Sequence, residues 1–160
     1  MNVRDLLIAL VRQAITGENT DKEKIEKSLS SEKLATLFKV SKKHDVAHLV
    51  CYALEKIGLE HENSDTWQAF LQEKEQAKLR YEMIQADINE IYACFDSNNI
   101  DYIPLKGAII RRLYPEPWMR TSCDIDILVK ESDLQMAVDA LVRERSYKTD
   151  NKKSYHDISL

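Results

Sequence analysis

Apolar residues recur every three or four positions over most of residues 1–98, which is the spacing of amphipathic helices. The pattern predicts a first helix that ends near Gly17 and a charged helix that begins near Asp21. A third helix should follow Ser30 and Ser31, because serine is a preferred N-cap residue. The first part of the chain is therefore predicted to be helical throughout.

Two further helices are predicted before residue 98, and Gly58 ends the first of them. The second begins after a loop at 59–64 and is about eight turns long, with an outer face of Glu, Lys and Gln. Its inner stripe consists of Trp67, Phe70, Lys74, Ala77, Tyr81, Ile84, Ile88, Ile91 and Phe95.

The periodicity changes after the turn signal Asn98-Asn99. Two prolines in three residues, Pro115 and Pro117, predict a loop there. The remaining predictions are a strand over 100–104, a helix over 105–113, a strand over 123–129, a helix from Ser132 or Asp133, and a strand over 155–160.

These patterns predict an α+β protein, in which a helical N-terminal half is followed by a small mixed β-sheet flanked by helices. We place the helical N-terminal region at residues 1–98 and the α/β core at 99–160. The chain stops on the last predicted strand, so we expect the core to be C-terminally incomplete.

Composition narrows the class of protein. Hydrophobic residues make up 44% and charged residues 31%, which is enough for a packed core. The net charge of −4 lacks the basic footprint of a dedicated nucleic-acid binder. The apolar run 6–11 is too short for a membrane span, and the three cysteines lack metal or CxxC spacing. We expect a cytoplasmic protein with reduced thiols, no disulfide and no membrane partner.

Asp124 and Asp126 are the leading candidates for chemistry. On a strand, alternate side chains share a face, so the two carboxylates would lie roughly 7 Å apart at their Cα atoms. Ile125 and Ile127 would then point into a core. Two neighbouring carboxylates repel each other unless a cation compensates, and Mg²⁺ prefers such oxygen ligands. An isolated D-x-D is common, and the alternative is two aspartates that face water at the end of a strand.

Three neighbouring features favour a phosphate ligand. Lys106-Gly107 lies between a predicted strand and helix, where backbone N–H groups can meet an anion. Arg120 could offer its guanidinium to a phosphate, and Ser122 stands just before the aspartates. Taken singly, the glycine could serve only a tight turn, and the two basic side chains could serve only surface contacts.

Together these residues carry a resemblance. The segments Leu105-Lys106-Gly107, Tyr114-Pro115 and 120–129 (RTSCDIDILV) resemble the uncharacterised nucleotidyltransferase family of the DNA polymerase beta-like superfamily. The stretch 42–47 (KKHDVA) is similar to that family's helical N-terminal region. The resemblance implies the nucleotidyltransferase fold, with Asp124 and Asp126 as catalytic residues and ligands of Mg²⁺ or Mn²⁺.

The resemblance also implies that Lys106, Gly107, Arg120 and Ser122 bind the nucleotide. It implies transfer of a nucleoside monophosphate from a nucleoside triphosphate to an acceptor, which could be a protein, RNA or a small molecule. One departure stands out, because Ala108 occupies a position where the superfamily has a phosphate-binding serine.

A third carboxylate normally completes the metal site of this superfamily. Asp157 is the candidate within the sequence, although the family pattern favours a position beyond residue 160, and the neighbouring His156 is expected to face solvent. We therefore expect residues 1–160 to show weak or no transfer. The alternative is a non-catalytic module that binds a nucleotide or a protein on the same fold.

Overall fold

The computed structural model of the chain describes residues 1–60, 64–145 and 147–148. Its α-helices are α1 (Val3–Thr16), α2 (Lys22–Ser28), α3 (Ser31–Lys43), α4 (Ala47–Lys56), α5 (Asp65–Ser97), α6 (Gly107–Ile110) and α7 (Leu134–Arg145). Its strands are β1 (Tyr102–Pro104) and β2 (Ile127–Val129). Single 3₁₀ turns cover Arg111–Leu113, Pro117–Met119 and Glu131–Asp133.

The described chain forms two compact units. The first contains residues 1–81 and 111–121, and the second contains 82–110 with the described residues from 122 onward. Helix α5 contributes residues to both units. The predicted boundary between residues 98 and 99 stays a prediction.

The first unit is built on the apolar faces of α1, α3, α4 and the start of α5. Leu6, Leu10, Val50 and Phe70 are fully inaccessible to solvent in its core. Met119, from the segment 111–121, is buried in the same core. That segment is therefore part of the packing of this unit.

Helices α3, α4 and α5 end in the same backbone motif, with a left-handed residue two positions after the last residue of the helix. Those residues are Asp45 after α3, Gly58 after α4 and Asn99 after α5, with φ of 53°, 65° and 54°. After α3, Val46 N–H donates to the Ser41 carbonyl and Asp45 N–H to the Lys42 carbonyl. These two bonds define a Schellman cap, which satisfies carbonyls that the helix leaves open. The sequence predicted the stops at Gly58 and near Asn99, but not the one at Asp45.

The second unit contains the sheet. Strands β1 and β2 are antiparallel, with Tyr102 opposite Val129 and Pro104 opposite Ile127. One face packs on a core of Ile91, Cys94, Phe95, Ile100, Ala137, Ala140 and Leu141. On the other face Ile103 and Leu128 lie opposite each other, and both are more than half exposed.

The α+β class and the change from helix to strand near residue 100 are confirmed. The second strand, however, begins at Ile127 and not at residue 123. Its partner β1 ends at Pro104, and the chain turns away at Lys106 into α6, so residues 123–125 have no strand beside them in β1. The described sheet is antiparallel, and the predicted strand over 155–160, including His156 and Asp157, lies outside the described residues.

Candidate functional site

A backbone hydrogen bond joins the two segments that carry the candidate residues. The N–H of Leu105 donates to the carbonyl of Asp126 at 2.9 Å, one position beyond the last paired residues of the sheet. Pro104 has no N–H to donate, so this bond closes the sheet at its end. It fixes the start of the 105–107 segment beside Asp126.

Lys106 follows immediately, and its conformation is unusual. Its φ of 37° lies in the left-handed region, which non-glycine residues rarely adopt. The Lys106 carbonyl accepts hydrogen bonds from the N–H groups of Ile109 and Ile110, so Lys106 is the residue that directly precedes and caps α6. Its Nζ lies 3.3 Å from Oδ2 of Asp126. The structure thus brings together two of the residues that the sequence singled out.

The aspartates keep the alternation of a strand although they precede β2. Ile125, Ile127 and Val129 pack against the core of the second unit, as predicted for the two isoleucines. Asp124 is exposed, and the side chain of Asp126 is one-third exposed. Both carboxylates are therefore accessible to a ligand from solvent.

Carboxylate oxygens suit a hard divalent cation, which commonly takes one or two of them together with substrate phosphates. No cluster of three or more His, Cys, Asp or Glu residues with the arrangement of a metal site occurs in the described parts of the chain. Within these parts, Asp124 and Asp126 are the candidate donors, and a cation held by them would need its other ligands from a substrate.

Gly107 and Ser122 belong to the same unit as the aspartates. Gly107 is buried as the first residue of α6, and Ser122 is half-buried in an irregular segment. Helix α6 has four residues, so its dipole is much weaker than that of the longer helix predicted over 105–113. Any phosphate contact here depends on individual N–H groups and side chains more than on a helix dipole.

Arg120 lies in the first unit, unlike the other candidates. Its Nε is buried, and no hydrogen-bond acceptor meets it among the described residues. Leaving a buried donor unsatisfied costs about 1–3 kcal/mol, and more for a charged group. The guanidinium is thus a donor without an acceptor at this atom.

The residues on both sides of Arg120 are hydrogen-bonded to Asp45, in the turn after α3, and to His48, in the first turn of α4. Nε2 of His48 lies 2.9 Å from the Met119 carbonyl, and the Thr121 hydroxyl donates to Oδ2 of Asp45 at 2.8 Å. A carbonyl only accepts, so Nε2 of His48 carries the proton. Trp118 meets the His48 ring edge-on at a centroid distance of 6.2 Å.

Burial lowers the pKa of His48, although the bond to Met119 acts in the opposite direction. Folding therefore favours the neutral form of the imidazole. No role was predicted for His48 from the sequence, and Asp45 entered the prediction only within the stretch 42–47 that resembles the family. A signal was present, since His48 interrupts the apolar series Val46, Leu49 and Val50.

Comparison with known proteins adds the family. The model of a family described as uncharacterised nucleotidyltransferase matches residues 30–159, and the chain belongs to that family. The match includes the Asp45–His48 turn as well as the aspartates. No curated protein matched the chain, and no solved structure did. In the described part of the chain, no helix has both the length and the apolar character needed to cross a bilayer.

Proposed function

We propose that this protein is a nucleotidyltransferase that uses Mg²⁺ or Mn²⁺ and transfers a nucleoside monophosphate from a nucleoside triphosphate to an acceptor. Family membership supports the general class of reaction. The observation that carries the site is the pairing of Lys106 with Asp126 at the end of the sheet. We further propose that the second unit belongs to a nucleotidyltransferase fold.

In this proposal Asp124 and Asp126 hold the cation. When bound, the cation neutralises phosphate charge and makes the α-phosphate more electrophilic. Asp124 is the more exposed of the two, whereas Asp126 is fixed through its carbonyl by Leu105. This difference gives the pair one adaptable ligand and one positioned ligand.

Lys106 serves as a phosphate contact next to the cation. The Lys106 side chain is 72% exposed, so its ammonium can move from Asp126 to a phosphate oxygen of the bound nucleotide. A positive charge beside the phosphates stabilises the charge that develops on the leaving pyrophosphate. Gly107 and Ser122 are also proposed to bind the nucleotide, and Lys106 or Arg120 would compensate for the serine that is absent at position 108.

We also propose, from the family resemblance and from its own unit, that the guanidinium of Arg120 binds a phosphate oxygen. Arg120 stands four positions before Asp124 in the chain, and its buried Nε lacks an acceptor among the described residues. A phosphate oxygen would satisfy that donor with a charge-assisted hydrogen bond.

Binding is the first test, because it does not require the acceptor to be known. Calorimetric titration of the whole chain with ATP, GTP, CTP and UTP, each with Mg²⁺, should show binding of at least one nucleotide. Asp124→Asn combined with Asp126→Asn should abolish it. The matched control is Asp87→Asn combined with Asp139→Asn, which removes the same charge from exposed positions of the same unit.

Binding that survives in the Asp124/Asp126 variant, or no binding by the unmodified protein, would overturn the proposed site. Turnover is then measured with triphosphates labelled at the α-phosphate, by following label into protein, RNA and small-molecule fractions of a cell extract. Label transfer by the unmodified protein that is lost in the Asp124/Asp126 variant would exclude the non-catalytic module.

A further inference from the structure

Arg120 is one of the residues proposed to bind a phosphate, and its two neighbours in the chain are hydrogen-bonded to one segment of the first unit. Met119 is held through its carbonyl by His48, and Thr121 through its hydroxyl by Asp45. Both bonds lie within the first unit. They link parts of the chain that are 71 and 76 residues apart in sequence.

The turn itself is rigidly built. Asp45 occupies the left-handed position of the Schellman cap of α3, and His48 is buried in the first turn of α4. Met119, which directly precedes Arg120 in the chain, is only 2% exposed. An anchored turn and a buried neighbour leave the Arg120 backbone little freedom.

We infer that Asp45 and His48 are positioning residues, which hold Arg120 so that its guanidinium is ready to bind a phosphate group of the nucleotide. This inference rests on the proposed function for the identity of the ligand. The Asp45–His48 turn acts through the backbone of residues 119–121 and does not itself touch the nucleotide. Because the arginine is already held in place, binding does not have to restrict its side chain and backbone, and the free energy that this restriction would cost is not lost from the affinity.

Two pairs of substitutions separate positioning from stability. Asp45→Gly removes the acceptor but relieves the left-handed backbone, so it should not destabilise the cap. Asp45→Asn keeps an acceptor oxygen and also suits the left-handed conformation. Thr121→Val removes the donor at nearly constant volume, and Thr121→Ser restores it.

The first readout is nucleotide affinity. Asp45→Gly and Thr121→Val should each weaken binding of the Mg²⁺–ATP complex, or of whichever triphosphate binds best, by about tenfold, while Asp45→Asn and Thr121→Ser remain within about twofold of the unmodified protein. Adding Asp45→Gly or Thr121→Val to Arg120→Ala should weaken binding no further than Arg120→Ala alone, because all three changes act on the same contact. Full affinity in Asp45→Gly and Thr121→Val, alongside a loss in Arg120→Ala, would overturn the inference.

The second readout needs no nucleotide. The Nε–H resonance of Arg120, assigned by its absence in Arg120→Lys, should exchange slowly with solvent in the unmodified protein and in Asp45→Asn. It should exchange rapidly in Asp45→Gly, in Thr121→Val and in His48→Leu, with recovery in His48→Gln. Slow exchange in all variants would show that the turn does not position Arg120. If the protein bound no nucleotide but showed the expected exchange pattern, the proposed function would fail while the positioning role stood.

Discussion

The ammonium of Lys106 lies 3.3 Å from a carboxylate oxygen of Asp126, and the lysine that makes this contact has a left-handed backbone. An exposed ion pair contributes only about 0–1 kcal/mol to stability. A left-handed conformation costs a residue with a Cβ atom roughly 1–2 kcal/mol. The contact therefore does not offset the strain beneath it, which favours a functional reason for a lysine at this position.

Substitution at Lys106 should separate its strain from its charge. Lys106→Gly removes both, whereas Lys106→Ala removes the charge and keeps the strain. We expect the free energy of unfolding of the glycine variant to exceed that of the alanine variant by about 1 kcal/mol, as measured in urea. Both variants should lose nucleotide affinity equally, since neither has the ammonium. Equal stability of the two would show that the left-handed backbone carries no strain.

The two aspartates should destabilise the protein slightly when no cation is bound. Their repulsion is on the order of 1 kcal/mol at the dielectric of a protein surface, and Lys106 compensates part of it. Asp124→Asn with Asp126→Asn should therefore leave the free energy of unfolding in chelator unchanged or slightly higher. A loss of more than about 1 kcal/mol would indicate that the carboxylates have a structural role.

The same double substitution should remove the rise in melting temperature that Mg²⁺ and a bound triphosphate give the unmodified protein together. A ligand that binds only the folded state stabilises it by mass action. The measurement is a thermal melt with metal alone, with triphosphate alone and with both. A rise of equal size in the double variant would place the ligand elsewhere.

Met119 should matter for stability as much as a residue of a core helix does, although it lies in the short 3₁₀ turn Pro117–Met119. Its side chain is 2% exposed, so Met119→Ala should lower the free energy of unfolding by about 2–5 kcal/mol. Leu113, in the same segment 111–121, is 81% exposed, so Leu113→Ala should have almost no effect on the free energy of unfolding. Urea denaturation measures both, and similar losses would contradict the packing of this segment.

His48 should make stability depend on pH. Because burial lowers its pKa, the unfolded chain binds the proton more readily than the folded one. Stability from this residue is thus complete above the ordinary pKa of 6.5 and falls as the pH drops below it. The charges of Asp45, Arg80 and Glu73 also act on the pKa of His48. The slope of stability against pH therefore reflects His48 together with these three neighbours.

The test of that slope is urea denaturation at several pH values on both sides of 6.5. His48→Gln should flatten the fall in stability on the acidic side. His44→Gln, at an exposed histidine four residues earlier, should leave the slope as it is. Equal slopes in the unmodified protein and His48→Gln would contradict a buried neutral imidazole.

The cysteines should differ sharply in reactivity. Burial raises the pKa of Cys51 to about 12 and also raises that of the buried Cys94, so both stay protonated and inaccessible at neutral pH. Cys123 is exposed beside Asp124. A thiol reagent should modify Cys123 alone in the native protein and all three cysteines in denaturant, as mass spectrometry can show. Mg²⁺ with a bound triphosphate should slow the reaction of Cys123.

The sequence alone determined the five helices before residue 98 and the change to strands, whereas the helix predicted over 105–113 is an α-helix only over Gly107–Ile110. Local signals suffice for these features, since the stripe of α5, the serine before α3 and Gly58 after α4 act over a few residues. The alternation of Ile125 and Ile127 also correctly predicted which side of the second segment meets a core. The pattern around Asp124 and Asp126 was specific enough to identify the family.

Only the tertiary structure decided where β2 begins and which residues surround the candidate site. Strand length depends on the partner, and β1 stops at Pro104, so no property of residues 123–125 could reveal that they lack a neighbour in β1. The contacts of Asp45 with Thr121 and of His48 with Met119 join segments more than 70 residues apart. Their partners are brought together by packing of the first core, which a single sequence read locally does not encode in any recognisable spacing.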